Sequence, residues 1–280
     1  MATTTVVAGA GAAKAVPASG ARLNRSSGAG LGVAVVWLSL LVLLPLAAVV
    51  VKAGGAGWSG FTSAFTNAQS MQALRLTLLC AFAVTVVNAV MGTLIAWVLV
   101  RDNFPGQRVI EVLIDIPFAL PTIVAGIVML KLYGHDSPVG LDWYATKKGV
   151  VVALLFVTLP FVVRSVQPVL ESLERDVEEA AGSLGAGPVT TFRRIVLPAL
   201  APAILSGAAL AFGRAMGEYG SVILIGGGLP RTNVASQAIY SQIENDQLSL
   251  AAATATVLLV ISFLVMIVLG LVKGWVARRD

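Results

Sequence analysis

Cysteine and histidine are almost missing from this 280-residue chain, with one of each, Cys80 and His135. That excludes a disulfide framework, a thiolate metal site and a histidine cluster. Charge is scarce as well: 12% of residues are Asp, Glu, Lys or Arg, against roughly 25% in soluble chains. So little polar surface cannot cover a globule in water. What the chain has instead is apolar bulk, 57% hydrophobic residues with a mean hydropathy of +0.89, gathered in long blocks. The solvent is lipid. Glycine (28) and proline (12) fit that setting, since neighbouring helices re-satisfy the backbone groups they free. A net charge of +5 would suggest nucleic acid in a soluble protein; here its placement in alternate loops reads as membrane topology, and no nucleic-acid partner is expected.

A window of about 20 residues, the length that crosses a bilayer, finds six spans: Leu31–Val51, Ala73–Val100, Val112–Leu132, Gly149–Leu170, Ala199–Gly226 and Ala251–Val272. The expected fold is an all-α polytopic membrane protein with six transmembrane helices. The first span exceeds the roughly 7–15 residues of a signal-peptide core, so it reads as a retained anchor. Residues 1–30 are rich in Ala, Gly, Thr and Ser, a composition that buries no core and predicts a disordered cytoplasmic tail before a transmembrane domain over 31–280. Arg and Lys favour the tail, the loops after spans 2 and 4, and the C-terminus, whereas Lys52, Lys147, Lys148 and Arg231 fall in the other loops. By the positive-inside rule both termini are cytoplasmic, in a multi-pass protein of the cell membrane.

The loop between spans 4 and 5 carries the most information. Leu173, Val177, Ala180, Ala181 and Leu184 recur at helical spacing through a charged stretch from Glu171 to Leu184, which predicts an amphipathic helix. A helix lying on the membrane surface is one reading. Its five acidic residues would be repelled by an anionic leaflet, so a protein partner explains it better. Gly185 and Gly187 break the helix, Pro188 restarts a short one, and Pro198 and Pro202 open the fifth span.

Glu179-Ala180-Ala181, three residues, Gly185, nine residues, Ile195, one residue, then Leu197-Pro198 resembles the EAA loop of binding-protein-dependent ABC importer permeases. All the fixed positions match, in the right place before the penultimate span. The resemblance implies cytoplasmic coupling helices seated in a groove of an ATPase subunit, with Glu179, Ala180, Ala181, Gly185, Ile195, Leu197 and Pro198 forming the contact. It implies two ATPase subunits, a second permease subunit and an extracytoplasmic binding protein as partners. No Gly-x-x-x-x-Gly-Lys-Ser/Thr occurs in the chain, so the phosphate-cradling loop belongs to another polypeptide. The chain is then expected to be a transport subunit, not an enzyme, and to bind no cofactor itself, with ATP and Mg on the partner ATPase.

Two further stretches, Asp115-Ile116-Pro117-Phe118-Ala119-Leu120-Pro121-Thr122 and Arg214 to Val222, look like sulfate/thiosulfate importers, and the Leu-Pro-Thr form is similar to the T-type subunit that pairs with a W-type one. Thr232 to Tyr240 also looks like the related molybdate permeases. The implied cargo is sulfate, with molybdate or tungstate as the alternative; both are tetrahedral dianions. A transporter driven by an ion gradient would give the EAA loop no purpose.

Ionisable residues inside spans are costly, roughly 2.5–3.5 kcal/mol at the helix centre on insertion scales. Arg214 and Glu218, four residues apart in span 5, share a helix face, with Arg214 about 22 Å along the helix from Ala199. They are either a packing salt bridge or, with Ser221, part of the translocation pathway, where Arg214 offers positive potential to a dianion. Gly217 and Gly220 would permit close backbone approach. Glu111 and Asp115 are expected to contact a cytoplasmic loop, Arg164 to snorkel or touch the coupling loop, and Arg75 to reach headgroups. His135, beside Asp136, reads as a solvated loop residue. Pro117, Pro121 and Pro160 are expected to break their spans, as kinks lining a pathway or kinks of packing.

Overall fold

Residues 25–55, 57–276 and 278 are described by a computed structural model in which all regular structure is helical, with no strand among them. The all-α class expected from hydropathy is the one observed. Five helices are long and apolar enough to cross a membrane, and a sixth crossing results if one bent pair counts as a single span. The described residues fall into two compact units, one ending at Ala48 and the other beginning at Val49.

The first unit holds α1 (Arg25–Leu38), a wide π turn (Ser39–Leu43) and the start of α2 (Leu44–Gly54). Helix begins at Arg25, ahead of the expected Leu31, and the rest of the tail expected to be disordered lies outside the described residues. The segment Gly28–Gly54 has a mean hydropathy of 2.8 and is apolar on every side, as suits a helix surrounded by lipid. The π turn has a local cause. Pro45 carries no N–H, and its ring would crowd the carbonyl four residues back. The Leu44 N–H reaches five residues back to the Ser39 carbonyl, widening the turn. The same device recurs at Phe192–Val196, where the Leu197 N–H reaches the Phe192 carbonyl just before Pro198.

In the second unit follow α3 (Gly57–Thr66), α4 (Ala68–Arg101), α5 (Gln107–Ala119), α6 (Thr122–Tyr133), α7 (Lys147–Ser172), α8 (Arg175–Ser183), α9 (Pro188–Thr191), α10 (Leu197–Met216), α11 (Gly220–Gly226), α12 (Ala235–Glu244) and α13 (Leu248–Val276). At its centre α7 packs against both α4 and α10, and two glycines explain how closely. A Cβ on Gly92 of α4 would lie 2.8 Å from the Val162 Cβ, and one on Gly207 of α10 would lie 2.8 Å from the Val162 Cα. Val162 of α7 is fully buried between these notches. Lipid supplies no hydrophobic drive between helices, so close van der Waals packing at small residues takes its place. Asn88 adds a polar clasp: its side-chain amide donates to the Thr158 hydroxyl (2.8 Å) and the Leu155 carbonyl (3.2 Å) of α7.

Two expected spans are broken. Span 3, expected over Val112–Leu132 with prolines that break it, is α5 and α6 bent by 119° at Pro121, whereas Pro117 stands inside α5 and Pro160 inside α7. Leu120 is extended (φ −82°, ψ 133°) because the ring of Pro121 disfavours helical backbone in the residue before it. Span 5, expected over Ala199–Gly226, is helical without interruption from Pro188 to Met216 and stops at Gly217. The chain restarts as the separate α11, which packs on α6: a Cβ on Gly220 would meet Thr122 and lie 2.9 Å from the Ile123 N. The single helix expected from Glu171 to Leu184 is also two pieces, α7 ending at Ser172 and α8 beginning at Arg175.

At the end of the bundle away from α8 and α9, α12 ties the starts of α4 and α13 together. The Gln242 side-chain amide donates to the Ser70 hydroxyl at 2.8 Å, and the Ala235 N–H donates to the Thr77 hydroxyl at 2.7 Å. Thr254 of α13 lies 3.3 Å from the same Ser70 hydroxyl.

Candidate functional site

Helix α8 and the turn after it form the loop that the sequence singles out. Gly185 closes α8 with φ +84°, the left-handed region open to glycine. Its N–H donates to the Gly182 carbonyl (2.9 Å), and the Ala186 N–H donates to the Ala181 carbonyl (3.0 Å). These paired bonds are the Schellman arrangement, which satisfies carbonyls left open at a helix end. A Cβ at Gly185 would meet nothing within 4 Å, so backbone sign, not space, requires glycine here.

The loop presents a mixed surface. Glu179, Ala180 and Gly185 are exposed, Ala181 is buried, and Ile195 and Pro198 are half-buried. Leu184 and Val189 project 89% and 70% exposed beside them, large apolar side chains of the kind that mark a protein contact. Leu197 is 38% exposed. Behind this surface α8 is bolted to the end of α4. Arg101 donates to Glu178 Oε1 at 2.6 Å and to the Leu173 carbonyl at 3.0 Å, and its guanidinium lies 5.9 Å from the centroid of the Trp97 ring. Trp97 in turn meets Phe192 edge-on at 5.4 Å. Arg175 donates to the Val100 and Arg101 carbonyls (3.3 and 3.1 Å), occupying open acceptors at the α4 terminus. Sequence reasoning does not single out Arg101; its one signal there is a cation at a span end facing an acidic loop.

Arg214 and Glu218 do form an ion pair, Nη1 to Oε2. Glu218 is 2% exposed, while the Arg214 side chain is 32% exposed. The other carboxylate oxygen, Oε1, accepts the Ser221 N–H (2.9 Å) and the Ser221 hydroxyl (2.8 Å). Glu218 therefore both neutralises Arg214 and caps the start of α11, which is why the chain breaks here. The Ser236 hydroxyl donates to the Glu218 carbonyl at 2.6 Å. Ser221 is fully buried and both of its donors are spent on Glu218. A Cβ on Gly217 would meet nothing within 4 Å; the close approach expected of it belongs to Gly220. The helix is continuous from Ala199 to Arg214, so the expected distance of about 22 Å holds, and from Pro188 it is about 39 Å. Ala215 and Met216 share a cluster with Cys80 of α4 and with Val150 and Leu154 in the first turns of α7. The pair thus lies toward the bundle end opposite α8.

Two expectations are corrected. Asp115 does not reach a loop: it takes a two-pronged bond from Arg164 of α7, Nε to Oδ1 at 2.8 Å and Nη2 to Oδ2 at 2.5 Å. The Arg164 hydrogen bonds go to α5 and its own helix instead of the loop after α7: its Nη2 also donates to the Glu111 carbonyl at 3.1 Å and its Nη1 to Gln167 at 2.6 Å. Closing α5 onto α7 uses the fork geometry that suits arginine to carboxylates. His135 is exposed, as a solvated loop residue would be, and hydrogen-bonds Asp142 at 2.8 Å. That hydrogen bond holds the Asp142 carboxyl below its ordinary range.

Residues 89–278 match the family described as binding-protein-dependent transport system inner membrane component. The chain is 41% identical over 254 residues to the sulfate transport system permease protein CysT of Synechocystis sp., covering 88% of this chain and 89% of that one. It is 40% identical over 261 residues to the protein of the same name from Salmonella typhimurium (89% and 93% covered) and 39% identical over 258 residues to that of Escherichia coli (89% and 93%). Among solved structures, a bacterial ABC transporter that imports the acidic polysaccharide alginate superposes with a TM-score of 0.73 at 14% identity, over 88% of this chain and 94% of that one. A methionine ABC transporter in inward-facing form superposes with a TM-score of 0.58 at 18% identity, over 74% and 95%. At such identities these two show the fold alone.

Proposed function

The chain belongs to the family of binding-protein-dependent transport system inner membrane components, and from that membership we propose that it is a membrane subunit of an ATP-driven sulfate importer. The observation that carries the cargo is about 40% identity, along nearly the whole chain, to proteins named sulfate transport system permease. It is a multi-pass membrane protein and a permease subunit. Its partners in this reading are a W-type permease subunit, two ATPase subunits that bind ATP and Mg, and an extracytoplasmic sulfate-binding protein. Both termini are cytoplasmic, and thiosulfate is a second cargo.

The geometry supports a transmission path. Glu179, Ala180, Ala181 and Gly185 lie along the α8 turn, where an ATPase groove would seat its exposed side together with Leu184 and Val189. Ile195, Leu197 and Pro198 stand at the π turn joining this surface to α10. The continuous helix from Pro188 to Met216 is a rod of about 43 Å, so a push at α9 is felt at Arg214. In this reading Arg214 offers its part-exposed guanidinium to the passing dianion, and Glu218 and Ser221 hold it in place. No residue here performs covalent chemistry. Growth on sulfate as sole sulfur source, in a strain lacking its own sulfate importer and supplied with this chain and its partners, tests the proposal. Growth on thiosulfate checks the second cargo, and failure to grow on either anion counts against the cargo assignment.

A further inference from the structure

Two of the basic residues that run against the positive-inside bias, Lys147 and Arg231, converge with Arg75. Arg75 in the second turn of α4, Lys147 at the first position of α7 and Arg231 after α11 line one cavity of about 490 Å³. Phe65, Met71 and Leu79 give it an apolar floor. None of the three cations is in the ion pairs found among the described residues. Arg231 makes one neutral bond, Nε to the Ala145 carbonyl at 3.3 Å, which leaves its Nη groups free to face the cavity.

The placement runs against the usual electrostatics of helix ends. A helix N-terminus carries partial positive charge and favours acidic residues, yet the first turns of α4 and α7 contain none, and α7 opens with Lys147 and Lys148. The positive ends of two long helices and three exposed cations outside those ion pairs concentrate positive potential around one concavity, which a bound anion would relieve. A local rule broken without a compensating contact within the chain marks a functional site. Guanidinium forks fit the oxygen pairs of a tetrahedral oxyanion.

We propose that the cavity bounded by Arg75, Lys147 and Arg231 binds a tetrahedral oxyanion, sulfate or the phosphate of a lipid headgroup, at the bundle end opposite the coupling loop. With sulfate it would be a collection point ahead of Arg214. That role rests on the importer reading, whereas the binding site does not.

The test uses the full chain in phosphatidylcholine nanodiscs. Its melting midpoint is followed against sulfate, with chloride at matched ionic strength, and phosphatidylglycerol retention is read by native mass spectrometry. Variants are Arg75→Gln, Lys147→Gln, Arg231→Gln and all three together, with Lys148→Gln as a neighbouring charge outside the cavity. Each single change is expected to raise the half-saturating concentration about tenfold, the scale of one charged hydrogen bond. The triple change should abolish the response, and Lys148→Gln should leave it intact. Loss of the sulfate response identifies the free anion as ligand; loss of phosphatidylglycerol retention identifies the headgroup. Arg75→Lys should recover part of either response, which separates binding from poor folding. No change in either readout, or an equal effect of Lys148→Gln, overturns the proposal. If the assembled complex imports no sulfate while these binding differences persist, the importer reading fails and the site stands.

Discussion

Arg101 at the end of α4 and Glu178 on α8 are joined by a 2.6 Å charged hydrogen bond, with side chains only 10% and 22% exposed. With the Arg175 bonds to the α4 terminus, it fastens α8 to the bundle. Helix α8 is short, nine residues, and cannot hold its position by its own stability. Replacing Glu178 by Gln, or Arg101 by Lys, should lower sulfate uptake about tenfold, the scale of one charge-assisted bond. ATP hydrolysis by the assembled complex should continue, since the ATPase contact surface is intact. Parallel assays of hydrolysis and uptake check the uncoupling; equal loss of both would show that Arg101 serves folding only.

At Gly185 the constraint is φ +84° with open space around the missing Cβ. Side-chain tolerance of left-handed backbone therefore sets the outcome, at about 1–2 kcal/mol for an ordinary L-residue. Uptake and co-purification with the ATPase should fall in the order Gly, Asn, Ala, Val. If Asn is as damaging as Val, size at the ATPase contact governs the site instead.

Arg214 and Glu218 differ in burial, and that shapes their mutants. Breaking a buried pair by removing one partner costs roughly 3–5 kcal/mol, reduced here because Arg214 is 32% exposed. Arg214→Met should lower folded yield by leaving the Glu218 charge uncompensated. Glu218→Gln keeps an oxygen for Ser221 and should be milder. The double variant should regain yield but not uptake, as the dianion has lost its positive contact. Full sulfate uptake with wild-type apparent affinity in the double variant would make the pair a packing device only.

The notch at Gly207 makes a contrasting case with Gly217. A Cβ at Gly207 would press on backbone, 2.8 Å from the Val162 Cα and 3.0 Å from the Phe161 carbonyl. Gly207→Val should lower stability by about 1–3 kcal/mol through overpacking, read as a lower melting midpoint in detergent. Gly217→Ala, with nothing within 4 Å, should change it little.

Much of this was legible in the sequence. Apolar runs located the spans, and the glycine pattern after Glu179 located the end of α8, including the glycine that takes positive φ. The breaks were not legible in the same way. Prolines mark span 3 and span 4 as broken, yet only Pro121 separates two helices, while Pro117 and Pro160 stay inside theirs; a hydropathy window does not tell these cases apart. Span 5 ends early because Glu218 caps α11 through Ser221, a choice between helix and cap that no window registers. The Arg164–Asp115 fork joins residues 49 apart, and Arg101–Glu178 joins residues 77 apart. Such partners are set by how helices pack, which periodicity does not encode.

ATP-dependent uptake of labelled sulfate and molybdate tests the central claim most directly. It uses proteoliposomes holding this chain, its partner permease and both ATPase subunits, with the binding protein supplied on the outer side. The expected result is saturable sulfate uptake that stops when ATP is withheld, with molybdate carried poorly. Molybdate uptake without sulfate uptake, or sulfate uptake driven by an ion gradient in the absence of ATP, would contradict it.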